Sequence, residues 1–240
     1  MSGDQRPLSA VPLWLWLVLA ATLALQIATR AAVGPPVPRA AALPPPPNVE
    51  ALRLAAFGEA AVAARLAMLY LQSFDYGGAN ALPYQKLDYE RLVAWLEAIL
   101  ALDPRSDYPL FAAARVYAET PDAGRSRRML DFVYRSFFED PDRRWPWLAH
   151  AALVAKHRLR DLPLALRYAQ AVQRRTSDPG IPAWAKHMEI FILEDMNELE
   201  AARIIIAGLL QSGRISDPAE LRFLQQRLEE LERLSKSRQR

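Results

Sequence analysis

Four Asp-Pro pairs, Asp103-Pro104, Asp140-Pro141, Asp178-Pro179 and Asp217-Pro218, stand 37, 38 and 39 residues apart along the second half of this chain. Proline disfavours helical geometry in the residue before it and lacks the N–H a helix interior needs, so each pair marks a helix boundary. Boundaries at a near-constant period of this size, separated by Ala-, Leu- and Arg-rich segments, predict stacked helical units. Stacked arrays present extended surfaces for partners, so the period also sets the class of activity to look for.

The first 47 residues are a different material. Ala10 to Ala28 carries no charge and only Thr22 and Gln26 as polar side chains. Nineteen helical residues span about 28 Å, close to the thickness of bilayer hydrocarbon. Trp14 and Trp16 sit near one end, as interfacial indoles do, and Pro12 falls in the first turn, where it removes no needed bond. The apolar run exceeds the roughly 7–15 residues of a cleaved signal, and Arg6 is the only basic side chain before it. The reading is a short tail over 1–9, an uncleaved transmembrane helix over 10–29 and a linker over 30–47. Gly34 to Pro47 holds seven prolines in fourteen residues, an extended spacer of about 40 Å. Arg6 before the span nearly balances Arg30 and Arg39 after it, so the positive-inside rule gives little direction. A short tail, one span and a stand-off linker resemble bacterial inner-membrane proteins with a periplasmic domain, which sets the expectation for localisation.

Residues 48–240 read as helix almost throughout. Val49 to Phe74 carries Leu52, Ala55, Ala56, Val62, Leu66, Leu69 and Tyr70 at helical spacing and is expected to be one amphipathic helix. Gly77, Gly78 and Pro83 break it, Asp88 caps the next helix, and Asp103-Pro104 ends that one. The following units share one syntax: a turn, an apolar residue before proline, an A helix, and a B helix. Tyr108-Pro109, Trp145-Pro146 and Ile181-Pro182 are the expected A-helix starts, since proline suits the first helical position. B helices are expected over 122–139, 161–175 and 197–212, opened by Asp122, Asp161 and Asn197, the last closed by Gly213. The pairs at 103, 140 and 178 read as turns between units. Asp217-Pro218-Ala219-Glu220 reads as the capped start of a closing helix whose outer face carries Glu229, Glu230 and Glu232.

The B segments DLPLALRYAQAVQRR (161–175) and NELEAARIIIAGLLQSG (197–213) resemble the second helix of tetratricopeptide repeats. Ala165 and Ala201 stand at that family's small packing position, and Asp103-Pro104 resembles its inter-unit turn. The likeness covers about residues 88–213. The period is 37–39 rather than 34, and no unit carries the full Trp-Leu-Gly-Tyr pattern, so the chain looks like a divergent relative. The resemblance implies an all-α, α/α helical-repeat (TPR-like) superhelix behind a single transmembrane helix. It also implies protein binding.

No template for chemistry is met. The chain has no cysteine, hence no disulfide or thiolate metal site. His150 and His157 are seven residues apart, too far along a helix to chelate one ion, and there is no HExxH. There is no phosphate loop and no nucleophile elbow, and Glu194-Asp195 point about 100° apart on a helix. The expectation is no enzyme, cofactor or metal. A net charge of +3 gives no ground for nucleic-acid binding. Charge is uneven, however: Asp122 to Arg175 holds twelve Lys/Arg against six acids, and Met188 to Leu234 ten acids against five arginines. In tetratricopeptide-like arrays the A helices line the concave face. That places Tyr108, Phe111 and Arg115 from the first unit, Trp147, His150 and His157 from the second, and Lys186 and His187 from the third on a partner-binding surface. An aromatic and basic lining suits an acidic peptide or a C-terminal carboxylate. The expected role is a scaffold in a cell-envelope complex. The alternative is a structural subunit packed permanently into an oligomer or membrane assembly, with the same aromatic residues serving as inter-unit core.

Overall fold

The computed structural model describes residues 12–33, 43–74, 84–213, 215 and 217–238, and every regular element among them is helical. The chain divides into two compact units, residues 1–41 with 78–81 and residues 42–77 with 82–240. In the first, the described part is Pro12 and helix α1, Leu13–Val33. The hydroxyls of Thr22 and Thr29 donate to the carbonyls of Leu19 and Gln26 at 2.9 and 3.0 Å, so neither needs water. Among the described residues no single helix is long and apolar enough to cross a membrane. The apolar stretch of α1 is Leu13–Thr29, and Ala10 and Val11 of the expected span lie outside the described residues.

The second unit starts earlier than the sequence suggests. Leu43 is buried, and the carbonyls of Leu43 and Pro44 accept from Arg91 Nη1 at 2.7 Å and Trp95 Nε1 at 2.8 Å. A proline-rich strand spends no carbonyl on itself, so the last residues assigned to the linker are captured by donors on the domain. Residues 34–42 of the linker lie outside the described residues.

The single helix expected over 49–74 is two. Asn48 caps α2, Val49–Ala55, and α3 runs Ala60–Ser73. Between them Phe57 and Gly58 take φ of 51° and 88°, the left-handed turn that ends helices. The buried face of α3 is Ala63, Ala64, Ala67, Met68 and Leu71, while Val62, Leu66, Leu69 and Tyr70 of the expected stripe are exposed. Apolar residues line both sides of α3, so the expected stripe fell on the side that also carries Arg65, Gln72 and Ser73. The small alanines win because they allow closer packing on α4, Tyr89–Leu102.

After α4 come α5, Tyr108–Ala112, which runs into a π-helical turn over Ala113–Tyr117, then α6, Ala123–Phe137, and α7, Pro141–His157. They are followed by α8, Leu162–Arg175, the short α9, Ala183–Lys186, and α10, Met188–Asp195. Helices α11, Leu199–Gln211, and α12, Pro218–Arg238, close the chain. Asp88, Asp122, Asp161 and Asp217 all cap through their side chains, with Oδ1 accepting first-turn amides at 2.8–3.0 Å.

Three expectations fail locally. Asp140-Pro141 is not a turn ahead of a helix but the opening of α7, which leaves Pro146 inside the helix. Asn197 does not open the next helix; at φ 66° it ends α10 in the left-handed conformation that Asn tolerates, and α11 starts two residues later. In α11 the fully buried alanine is Ala202, with Ala201 half-buried, although Ala165 is buried as expected.

Four pairs of helices one period apart meet through side chains, with residue numbers rising together on both. Glu90 and Glu97 of α4 pair with Arg128 and Arg135 of α6 at 3.2 and 2.9 Å. Arg127 and Asp131 of α6 meet Asp161 and Tyr168 at α8. Trp145 and Lys156 of α7 meet Trp184 and Asp195. His187, Phe191 and Glu194 meet Glu220, Phe223 and Arg227 of α12. Hydrogen bonds of this kind join residues 33 to 40 apart in sequence.

The corners are laced in the same register by three consecutive residues in the first turn of α7. Arg144, only 3% exposed, donates from Nη1 to Ser136 O at 2.5 Å and Glu139 Oε2 at 2.7 Å, and from Nη2 to Pro104 O at 3.0 Å. Arg143 donates to Arg105 O. Asp142 reaches the other way: its carboxylate accepts from Ser177 N at 2.6 Å, Ser177 Oγ at 2.7 Å and Asp178 N at 3.1 Å. Replacing Arg144 by Ala strands the Ser136 and Pro104 carbonyls, while the exposed Glu139 carboxylate returns to water, and should cost about 3 kcal/mol in urea unfolding, whereas Arg143→Ala should stay within about 0.5 kcal/mol. The Ser177 amide and hydroxyl and the Asp178 amide hold the Asp142 carboxyl below the ordinary range. Its contribution is therefore present at neutral pH and lost on acidification. The stability gap between wild type and Asp142→Ala should close as pH falls below the unfolded carboxylate value of about 3.9.

Candidate functional site

The residues with the least internal explanation gather where α5 and its π turn lie beside α7. The Tyr108 and Phe111 rings stack at 5.8 Å, and Phe111 meets Trp147 edge-on at 5.6 Å. Such offsets and edges are the favoured geometries for aromatic quadrupoles. The Tyr108 hydroxyl accepts from Gln72 of α3. Below this ladder Met68, Leu69, Ile99 and Pro109 line an apolar pocket between α3, α4 and α5, with Arg65 and Gln72 at its edge.

Arg115 sits on the π turn, where the Ala118 amide bonds to Ala113 O at 2.9 Å and one extra residue is absorbed. An inserted residue rotates the downstream side chains by about 100° around the helix axis. Tyr117 is thereby buried, and Glu119 meets Arg158 at the far end of α7. Since Glu119 is engaged by Arg158, Arg115 has no ion-pair partner among the described residues.

Two polar atoms nearby are enclosed without a hydrogen-bond partner, Trp147 Nε1 and His150 Nε2. They lie on one face of α7, three residues apart. An enclosed polar atom left unpaired costs about 1–3 kcal/mol, which a group supplied from outside recovers. Burial pushes the His150 pKa down, the Arg115 charge pushes it the same way, and Glu119 pulls weakly against both. The ring is therefore neutral near pH 7, able to donate from one nitrogen and accept at the other.

The eight residues expected on one surface thus divide. Tyr108, Phe111, Arg115, Trp147 and His150 come together. His157 lies two turns further, exposed at the end of α7. Lys186 donates to Asp178 O at 3.1 Å, so it supports a turn. His187 is buried with Nε2 3.2 Å from Glu220 of α12, its pKa lowered by burial against the opposing pull of that carboxylate. Sequence reading missed Gln72, Glu119 and the π turn. The first two depend on which helices are neighbours, and nothing in Ala113-Ala114-Arg115-Val116-Tyr117 marks an extra residue in the turn. Among the described residues no three His, Asp or Glu side chains converge where a metal ion could sit.

With this geometry in hand, comparison gives no relative to read it against. No family model, no curated protein and no solved structure matches the chain. The site stands on its own chemistry. A lowered histidine pKa means that the unfolded chain takes up the proton first as pH falls. Wild type should therefore lose stability through the unfolded value of about 6.5, and His150→Gln should lose less between pH 8 and 5 in paired denaturant titrations.

Proposed function

We propose that this chain is a membrane-anchored, tetratricopeptide-like scaffold of the cell envelope that holds a protein partner on the face built by α5, its π turn and α7. The observation that carries the reading is the conjunction of Arg115, free of any ion pair among the described residues, with the unpartnered Trp147 Nε1 and His150 Nε2. A carboxylate supplied from outside pairs with Arg115, the two enclosed nitrogens gain partners where binding opens them, and the aromatic ladder offers a platform for the chain that carries it. The partner is an acidic peptide or a C-terminus bearing one large apolar side chain, which the pocket beneath Tyr108 would take. The one-period register of the helices supports the repeat-like reading, and the apolar composition of Leu13–Thr29 supports the anchor. The repeat domain is placed on the periplasmic side of a bacterial inner membrane, by analogy with other singly anchored envelope proteins.

A second reading, a structural subunit of a larger assembly, is favoured by one feature. Helix α12 lies along α10 and covers His187, so the third unit offers no open face at that position.

Cross-linking mass spectrometry in native membranes identifies the partner, and affinity recovery then tests the surface. Arg115→Glu and Trp147→Ala should each lower recovery at least tenfold, while Lys186→Glu should leave it unchanged because Lys186 serves a turn. Equal recovery with all three variants would count against this surface and favour the structural reading. A reporter active only in the periplasm, fused after Arg240, should be active.

A further inference from the structure

The α2–α3 elbow carries a surface that the core does not use and that the proposed partner face meets only at Leu69 and Arg65, in the pocket beneath Tyr108. Phe57 is 97% exposed at its tip and Leu54 79%, while Leu66 and Leu69 on the outer side of α3 are 61% and 63% exposed. The inner side of α3 is already packed on the domain, so the helix is apolar on both faces. Large apolar side chains grouped on one surface are usually covered, and among the described residues nothing covers the outer side.

We infer that this elbow lies in the surface of a lipid bilayer, with Phe57 and Leu54 among the acyl chains and the outer side of α3 at the headgroup boundary. The inference rests on the membrane association proposed from Leu13–Thr29. Three observations choose lipid over protein. First, α2 and α3 together are apolar enough for a membrane segment, yet they are bent by 112° and α3 buries one face on α4, a geometry that lies on a bilayer rather than crossing it. Second, Val62, Leu66 and Leu69 form the outer stripe, the only charges beside it are Glu59 and Arg65, and Ser73 at its end turns its hydroxyl back to Tyr70 O at 2.6 Å. Third, the two arginines suit a headgroup layer. Arg53 is drawn back to Glu50 and to Ala101 O at 2.9 Å each, away from the Phe57 tip. Arg65 is exposed without an ion pair among the described residues, free to reach a phosphate. Only residues 34–48 separate this elbow from α1 in sequence. The other end of the array differs: α12 turns Glu229 and Glu230 to water.

The chain has no cysteine, so single labels are clean. Full-length Phe57→Cys, Leu66→Cys, Leu19→Cys and Gln226→Cys, each carrying an environment-sensitive fluorophore, are reconstituted in phosphatidylcholine/phosphatidylglycerol vesicles with brominated acyl chains. Labels at 57 and 66 should shift to the blue and be quenched several-fold more than the label at 226. Quenching at 19 but not at 57 or 66 overturns the inference and leaves the anchor intact. No quenching at 19 overturns the anchor and this inference with it. A blue shift at 66 without bromine quenching overturns it too, because a second copy or another protein then covers the stripe.

Discussion

A single buried guanidinium holds the succession of units in register. Arg144 fills its donors with a carbonyl at the end of α6, a carboxylate just beyond it and the carbonyl of Pro104 one period back. Buried charge is tolerated only where hydrogen bonds replace the water it has lost, so the side chain fixes the spacing of the elements around it. Asp142, two residues earlier in the same turn, passes the constraint on to the next corner through Ser177 and Asp178. The apolar core fills the space between helices, and the corner network adds donors and acceptors that only one register satisfies.

That network explains what the Asp-Pro period means. The residues are conspicuous because proline and a capping carboxylate punctuate helices whatever surrounds them, and caps at Asp88, Asp122, Asp161 and Asp217 follow from local chemistry alone. Local chemistry stops short of distinguishing a pair that opens a helix from one that precedes it. Asp140 and Asp178 look alike in sequence, yet the first begins α7 at once and the second forms a turn, its Oδ1 accepting from Gly180 N at 2.7 Å. The difference lies in the partners: Asp142 must point forward to reach Ser177, and Arg144 back to reach Pro104. The faces of α3 were unreadable for another reason. Periodicity reports contrast, and in α3 only Arg65, Gln72 and Ser73 supply it against large apolar residues on the same side. The aromatic and basic side chains of the candidate site were legible as types, but their grouping depends on a π turn that the sequence does not mark.

Helix α12 was legible as a closing helix, but not the position it takes. It lies parallel to α10, as α10 lies to α7, so it occupies the place of the first helix of another unit. Arg227 grips Glu194 with two nitrogens, while Phe223 meets Phe191. The end of the chain therefore spends His187, Phe191 and Glu194 on contacts with α12, whereas Arg115 on the π turn keeps no ion pair among the described residues.

The apolar core is itself divided. Ile190, Leu193, Ala202, Ile206, Leu224 and Leu231 form a small cluster apart from the large one that runs from Leu43 to Ile192, with Leu166 packed against both. In an assembly where each element leans mainly on its neighbours, a small terminal cluster opens at lower free energy than the rest. Amide exchange through α11 and α12 is then faster than through α6 and α7. In that frayed state His187 loses Glu220 and its cover, and Phe191 is uncovered with it. Fraying of α12 would thus uncover His187 and Phe191 while leaving in place the corners that Arg144 locks.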